Sequence, residues 1–270
     1  MKEADKGRRV HGAFYKYRAF PQETDEEGWK RLENILTKLE AFFPAPSTLN
    51  DPFDCYPRIE LHGEPQEVRA KAASLVAEQI RQHGIQLSSE AFEQTVSDLV
   101  ANIQKPEHRN EELFKAVNAG TGVYCMCRRN DSILQWAYYG GDHQGFCLEF
   151  TIPQAAKAPF EYVAAVEYVV DRESIDFFDL DGNRDFLWRM VRRKFKEWDH
   201  EHEVRAFTTQ PGLKRFAAEL LTGIVFGAKT SGEHKAWVRA QVAKSGAQPR
   251  YYQASSSFTH FKLTIELLDG

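Results

Sequence analysis

A block of helix-forming sequence between two groups of strand-like segments constrains the fold of this chain more than any other feature. From Glu64 to Ala119 the sequence is rich in Ala, Glu and Gln, and apolar residues such as Val68 and Ala72 recur every three to four positions. This spacing predicts three helices, because Gly84 and Pro106 interrupt it.

Strand-like segments lie on both sides of the block. Before it, Ala13 to Phe20 and Ala41 to Phe43 have strand character and flank a helix-spaced stretch from Thr24 to Leu39. After it, we predict strands at residues 122–127, 145–152, 162–170, 203–209, 223–227, 251–254 and 262–268, with helices at residues 133–139, 185–197 and 234–244. Because strand and helix do not alternate regularly, we predict an α+β fold with a mixed or antiparallel sheet and the helical block inserted after the second strand.

Length and composition suit one domain. The chain has 270 residues, of which 42% are hydrophobic, so it can bury a core. No Pro/Gly-rich hinge borders residues 64–119, and we therefore predict a single α+β domain over residues 1–270 with that block as a helical insertion. The charged first residues and the lack of about 20 consecutive apolar residues favour a cytoplasmic protein without a membrane partner.

Charge and motifs exclude several classes of function. The net charge is −4, so a polynucleotide partner would need a local basic patch. The phosphate loops of P-loop and Rossmann proteins are absent from the sequence. The chain also has no C-x-x-C or H-E-x-x-H motif, and we predict no metal site.

The first candidate cluster is Tyr15-Lys16-Tyr17-Arg18 in the first strand. Alternation sends the two tyrosines to one face and the two basic residues to the other. Lys16 and Arg18 could bind an anion, and Tyr17 could donate to a ribose or stack on a base. The alternative interpretation is an amphipathic edge strand.

The second cluster is the loop from Pro46 to Asp54. Asn50 and Asp51 could bind a ligand or take part in catalysis, or they could form Asx turns with their own backbone.

The third cluster runs from Gln135 to Gly145, where an aromatic helix breaks at two glycines. A helix cap would explain the glycines. Trp136, Tyr139 and His143 add a stacking surface, a hydroxyl and a titratable imidazole, which favours a functional site.

The fourth cluster runs from Lys194 to Arg205. If a strand begins by Glu201, alternation places Glu201, Glu203 and Arg205 on one face, where the carboxylate pair could polarise a substrate or act as acid or base. A salt-bridged strand edge is the structural alternative.

Four ordered motifs carry a resemblance to a known family. They are Y-K-Y near the start, F-P-A-P-S-T-L-N-D-P-F-D, W-A-Y-Y-x-x-x-H-x-G-F-C-L-E-F and K-x-x-x-W-x-x-E-x-E-V-R-A-F. Together they resemble the uncharacterised bacterial domain family DUF 2971. The order of elements is also similar to the ADP-ribosyltransferase layout, especially that of DNA-modifying toxins, although the chain lacks a plain S-T-S motif after the first strand.

The transferase resemblance implies NAD as a substrate and a macromolecular acceptor, either nucleic acid or protein. It implies that Tyr17 contacts the NAD ribose, that Tyr139 or Trp136 stacks on nicotinamide, and that Glu203 orients the ribose 2′-hydroxyl and stabilises the oxocarbenium-like centre. A toxin or phage-defence effector would be the corresponding biological class. A hydrolase or nuclease that uses Asn50, Asp51, His143 and Glu203 is one alternative, and a nucleotide-sensing module without turnover is another.

Two structural expectations follow from these hypotheses. Seven residues should converge on one pocket, namely Tyr17, Asn50, Asp51, Trp136, Tyr139, His143 and Glu203. We expect Glu203, Glu201 and His143 to be catalytic groups and Lys16 and Arg205 to be among the binding groups. Glu203→Gln should fold normally and lose most of the activity, because a surface carboxylate contributes little to stability.

Overall fold

The computed structural model describes residues 10–56, 58–172, 174–180, 189–190 and 192–268. Its strands are β1 (Gly12–Arg18), β2 (Glu40–Phe43), β3 (Arg58–Glu60), β4 (Gly122–Cys127), β5 (Phe146–Ile152), β6 (Val163–Ala165), β7 (Glu167–Val169), β8 (Ser174–Asp176), β9 (Arg193–Phe195), β10 (Glu203–Thr208), β11 (Gly212–Arg215), β12 (Leu221–Phe226), β13 (Arg250–Ser256) and β14 (Leu263–Leu267). Its α-helices are α1 (Glu26–Thr37), α2 (Pro65–His83), α3 (Ser89–Ile103), α4 (Pro106–Gly120), α5 (Ile133–Tyr138) and α6 (Gly232–Ala243).

An eight-stranded mixed sheet forms the centre of the molecule. The strand order is β14-β13-β12-β5-β1-β4-β10-β6. β12 and β13 are parallel, and every other neighbouring pair in this sheet is antiparallel. The predicted α+β class with a mixed sheet is confirmed.

The helical block has the predicted breaks. Gly84 follows α2 in the left-handed conformation, with φ of 63°, and Pro106 is the first residue of α4. Val76 of α2 packs with Val96 of α3 in a small core of their own. Helical spacing alone therefore located these three helices.

Several predicted elements are wrong because short strands pair with distant partners. β3 pairs with β8, and β2 pairs with β11 outside the central sheet, so the helical block follows the third strand rather than the second. The strand predicted at residues 162–170 is divided into β6 and β7, which belong to different sheets. Of the helix predicted at residues 185–197, residues 185–188 and 191 lie outside the described residues and residues 189, 190 and 192 are helical as predicted, but residues 193–195 form β9 and a 3-10 helix begins at Lys196.

Strand alternation divides the buried side chains between two main cores. Phe14, Leu148 and Ile224 belong to the larger core, whereas Tyr17 and Val225 pack around Trp136 in another. Tyr15 and Tyr17 therefore lie on the face of β1 opposite to Phe14, as strand alternation predicts. Among the described residues, we find no helix with the length and apolarity needed to cross a membrane.

Candidate functional site

The central sheet opens between β1 and β4. β1 pairs with β5 along seven residues, but with β4 at a single position, Tyr15 opposite Cys127. Beyond that position the Lys16 Nζ donates a hydrogen bond of 2.7 Å to the Cys125 carbonyl oxygen. The opening lies in a cleft of about 280 Å³, close to the lower limit of the volumes typical of small-molecule sites.

Elements from four parts of the chain line this cleft. β1 contributes Lys16 and Arg18, and the loop after β2 contributes Asn50. The end of α5 contributes Tyr139, and the segment around the start of β10 contributes Glu201 and Glu203. Tyr17 also borders the cleft, so the structure brings together seven residues in which the sequence analysis saw candidate chemistry.

A buried network of charges forms the carboxylate end of the cleft. Arg205, which is fully buried, donates from Nε to Glu203 Oε1 at 2.8 Å and from Nη2 to Glu203 Oε2 at 2.9 Å. The same guanidinium binds both oxygens of Asp54, at 2.7 and 2.6 Å. Lys194 donates to Glu203 at 3.0 Å and to Glu201. Three carboxylates and two cations leave one excess negative charge in this network.

The two glutamates differ in how many hydrogen bonds their carboxylates already accept. Glu203 accepts three hydrogen bonds from Arg205 and Lys194. Glu201 accepts one from Lys194 and one, of 2.7 Å, from the hydroxyl of Tyr139. A carboxylate offers about four lone-pair positions, so Glu201 keeps more capacity to bind a substrate hydroxyl.

Electrostatics fix the protonation states at this end. Burial alone would raise the pKa of Glu203, but the charges of Arg205 and Lys194 outweigh it and lower the pKa to about 2. Burial also disfavours the charged form of Lys194, yet Glu203 and Glu201 hold its pKa above the usual lysine value. Burial, reinforced by Glu203, raises the pKa of Cys125 to about 12, so this residue is a thiol and not a thiolate nucleophile at neutral pH.

The β1 side of the cleft is cationic. Burial and the neighbouring charge of Arg18 lower the pKa of Lys16 to about 8. The Arg18 Nε is buried and has no hydrogen-bond partner among the described residues. A cationic side therefore faces a carboxylate side across the opening of the sheet, and the arrangement suits a ligand with an anionic part and a hydroxylated part.

Local backbone geometry places the glutamates and Tyr139. A 3-10 helix, Lys196–Glu201, ends at His202, which is left-handed with φ of 46°, so the strand begins at Glu203 and not at Glu201 as the alternation argument assumed. α5 ends at Tyr138, and the turn after it closes with a hydrogen bond of 2.8 Å from the Gly145 amide to the Gly140 carbonyl.

Three of the residues expected to converge do not line the cleft, and neither does the predicted binding residue Arg205. Asp51 accepts a hydrogen bond of 2.9 Å from the Phe53 amide, which is the Asx-turn alternative. Trp136 is fully buried and donates to the Asn130 carbonyl at 2.8 Å, so it cannot stack on a ligand. His143 lies in the left-handed turn, with φ of 69° and its ring stacked 6.4 Å from that of Trp136. The expected convergence of all site residues is wrong for these three.

Tyr17 and Arg205 have roles other than those expected. The Tyr17 hydroxyl donates to the Arg129 carbonyl at 2.7 Å, and its buried ring packs edge-on against Trp136 at 5.0 Å. Neither the hydroxyl nor the ring is available to a ribose or a base. Arg205 is fully buried and donates to Glu203, so it can act on a ligand only through that carboxylate.

Sequence reasoning missed two members of the network, Asp54 and Lys194. Both were visible as letters of the family motifs, Asp54 as the last residue of F-P-A-P-S-T-L-N-D-P-F-D and Lys194 as the first residue of K-x-x-x-W-x-x-E-x-E-V-R-A-F. Their pairing with Arg205 and the glutamates required the tertiary structure.

Neither a search for metal-binding groups nor comparison with known proteins assigns a further role to these residues. Within the described ranges, no group of three or more His, Cys, Asp or Glu side chains is placed to hold a metal ion. Comparisons with protein-family models, with curated proteins and with solved structures found no match to this chain.

Proposed function

We propose that this chain is an ADP-ribosyltransferase-like enzyme that uses NAD to modify a macromolecular acceptor, with the opening between β1 and β4 as its active site. The observation that carries the proposal is the separation of charge across that opening. Lys16 and Arg18 lie on one side and Glu201 and Glu203 on the other. NAD has a matching division between its diphosphate and its nicotinamide ribose.

In this proposal the two glutamates have separate tasks. Glu203 is a fixed anion that stabilises positive charge on the ribose as the bond from C1′ to the nicotinamide nitrogen breaks and its electron pair leaves with nicotinamide. Glu201, which has free lone pairs, binds the ribose hydroxyl and accepts the proton that the acceptor loses when it bonds to C1′. The transferase resemblance assigned the contact with the ribose 2′-hydroxyl to Glu203. We assign this contact to Glu201 instead.

Tyr139 and Lys194 position Glu201. The tyrosine hydroxyl binds one carboxylate oxygen and the lysine ammonium binds the other. Two donors of different type restrict rotation of the carboxylate, which is how positioned groups lower the entropic part of a barrier. The proximity of Tyr139 to the carboxylates also supports the predicted stacking of its ring on nicotinamide, because the bond that breaks joins nicotinamide to the ribose.

A nucleotide-binding module without turnover is the second candidate. The observation that favours it is the saturation of Glu203, whose oxygens are already bound by two cations. The hydrolase or nuclease alternative is weaker, because Asp51 and His143 lie outside the cleft that holds Glu203 and Asn50.

Incubation with NAD labelled on the adenylate phosphate tests these candidates. Release of nicotinamide together with transfer of label to protein or nucleic acid in a cell extract supports the transferase. Release of nicotinamide with free labelled ADP-ribose indicates a hydrolase. Binding of NAD with neither product indicates the binding module. Glu201→Gln should abolish transfer, and Glu197→Gln, on the exposed surface of the same 3-10 helix, is the matched control.

A further inference from the structure

Two aromatic side chains protrude from the hairpin that joins β13 and β14. Phe258 and Phe261 have relative exposures of 106% and 105%, whereas the other exposed large hydrophobic residues reach at most 71%. Exposed aromatic pairs of this kind mark interaction sites, because water is a poor environment for them. This hairpin is distant in sequence from every residue of the cleft.

The tip is held in a defined shape. The Ser257 hydroxyl accepts hydrogen bonds from the amides of Thr259 and His260, at 3.3 and 3.2 Å. The Ser257 amide donates to the Lys262 carbonyl at 3.1 Å and closes the turn. The two rings therefore project from an ordered turn, which lowers the entropic cost of binding.

The sequence around the hairpin is basic in an otherwise acidic protein. No Asp or Glu occurs from residue 234 to residue 265. The same stretch contains five basic residues, which are Lys235, Arg239, Lys244, Arg250 and Lys262. Of these five, Lys262 lies in the hairpin turn itself, whereas Arg250 begins β13 at the other end of the strand, so the hairpin from residue 251 to residue 265 carries one lysine and no carboxylate that would repel a polyanion.

Topology adds another lysine to the same end of the molecule. β12 and β13 run parallel, so the loop after β12 and the tip after β13 emerge at the same end of the sheet. The exposed Lys229 lies in that loop, and its amide donates to the His143 carbonyl at 2.9 Å.

We propose that the β13–β14 hairpin is a binding site for single-stranded nucleic acid, in which Phe258 and Phe261 stack on unpaired bases and Lys229 and Lys262 contact phosphates. Stacking platforms flanked by basic residues are the usual means of binding single strands without sequence preference. The inference goes beyond the transfer reaction, because binding at the hairpin does not depend on NAD.

An anionic membrane fits the tip less well. The apex between the two rings is formed by Thr259 and His260, and both are exposed. Insertion of the rings into a bilayer would carry this polar pair into the hydrocarbon first, which is unfavourable. Stacking on bases leaves the same pair in water.

Fluorescence anisotropy of a labelled oligothymidylate with the full-length chain tests the proposal. We expect salt-dependent binding, and weaker binding to the same strand in a duplex. Replacing both rings with Leu should reduce affinity by about tenfold or more, because Leu keeps apolar area but cannot stack on a base. Replacing both with Tyr should preserve affinity. Leu213→Ser, at an exposed apolar site in β11, is the control, and equal thermal midpoints establish folding.

Three outcomes would overturn the proposal. They are absence of oligonucleotide binding by the wild type, equal affinity of the Leu and wild-type proteins, and sedimentation of the wild type with phosphatidylserine vesicles in place of oligonucleotide binding. None of these concerns nicotinamide release, so failure here is distinguishable from failure of the proposed transferase function.

Discussion

Asp54 and Arg205 lie 151 residues apart in the sequence and form a bidentate ion pair of 2.6 and 2.7 Å. Arg205 is fully buried, and Glu203 holds the remaining side of its guanidinium. The carboxylates of the cleft are therefore part of the buried core. Substitutions of these carboxylates should change the stability of the protein as well as its activity.

Glu203→Gln should destabilise the protein. We expect a loss of about 3–5 kcal/mol in the free energy of unfolding, because the substitution leaves the charges of Arg205 and Lys194 less compensated in a buried site. The sequence-based expectation of normal folding is corrected, since it assumed a surface carboxylate and Glu203 is only 5% exposed. Urea denaturation measures the difference. Glu197→Gln should stay within about 0.5 kcal/mol of wild type, and a wild-type value for Glu203→Gln would contradict the buried network.

Stability should fall in acid partly because of Glu203. Its pKa is about 2 in the folded protein, against an ordinary value of 4.5. The unfolded state binds more protons between these values, so the stabilisation is complete above pH 4.5 and is lost as pH falls toward 2. The shift corresponds to about 3 kcal/mol. Denaturation midpoints measured across this range should fall less steeply in Glu203→Gln. Parallel curves for the two proteins would refute the assignment.

Tyr139→Phe should lower activity with little effect on folding. The change removes the hydrogen bond to Glu201 and frees that carboxylate to rotate. We expect about a tenfold decrease in transfer rate and a loss of about 1 kcal/mol in stability. Tyr138→Phe is the matched control, because Tyr138 is the preceding residue and is 66% exposed. Similar rates for the two variants would rule out a positioning role for Tyr139.

Ligand affinity should decrease as pH rises through about 8. Lys16 has a pKa of about 8 in the free protein, so it loses its positive charge in this range and attracts a diphosphate less strongly. Calorimetric titration with ADP-ribose should show about tenfold weaker binding at about pH 9 than at about pH 7. Lys16→Met should bind weakly at both values. A pH-dependent affinity that persists in Lys16→Met would place the titrating group elsewhere.

His143→Asn should leave activity close to wild type. Asn tolerates the left-handed backbone of this position, where φ is 69°. Because the imidazole lies outside the cleft and stacks toward Trp136, we expect a change in rate of less than about twofold. A large decrease with unchanged thermal midpoint would restore His143 as a catalytic residue.

The sequence determined the local elements and the chemistry of most of the site. Helical spacing, Gly84 and Pro106 defined α2, α3 and α4, because periodicity and helix-ending residues are properties of neighbouring positions in the chain. Alternation in β1 correctly placed Tyr17 on the opposite face from Phe14, because successive side chains of a strand face opposite ways. The motif letters also included most of the charges that form the cleft.

Tertiary structure decided which of these residues meet. Whether Trp136 is a stacking surface or part of the core depends on which side chains cover it, and local spacing carries no information about that. Whether Glu203 is a surface carboxylate or a buried anion depends on Arg205 and Asp54. Asp54 comes from a loop far away in the chain, and only the paired strands and packed cores of the folded protein bring it within hydrogen-bonding distance.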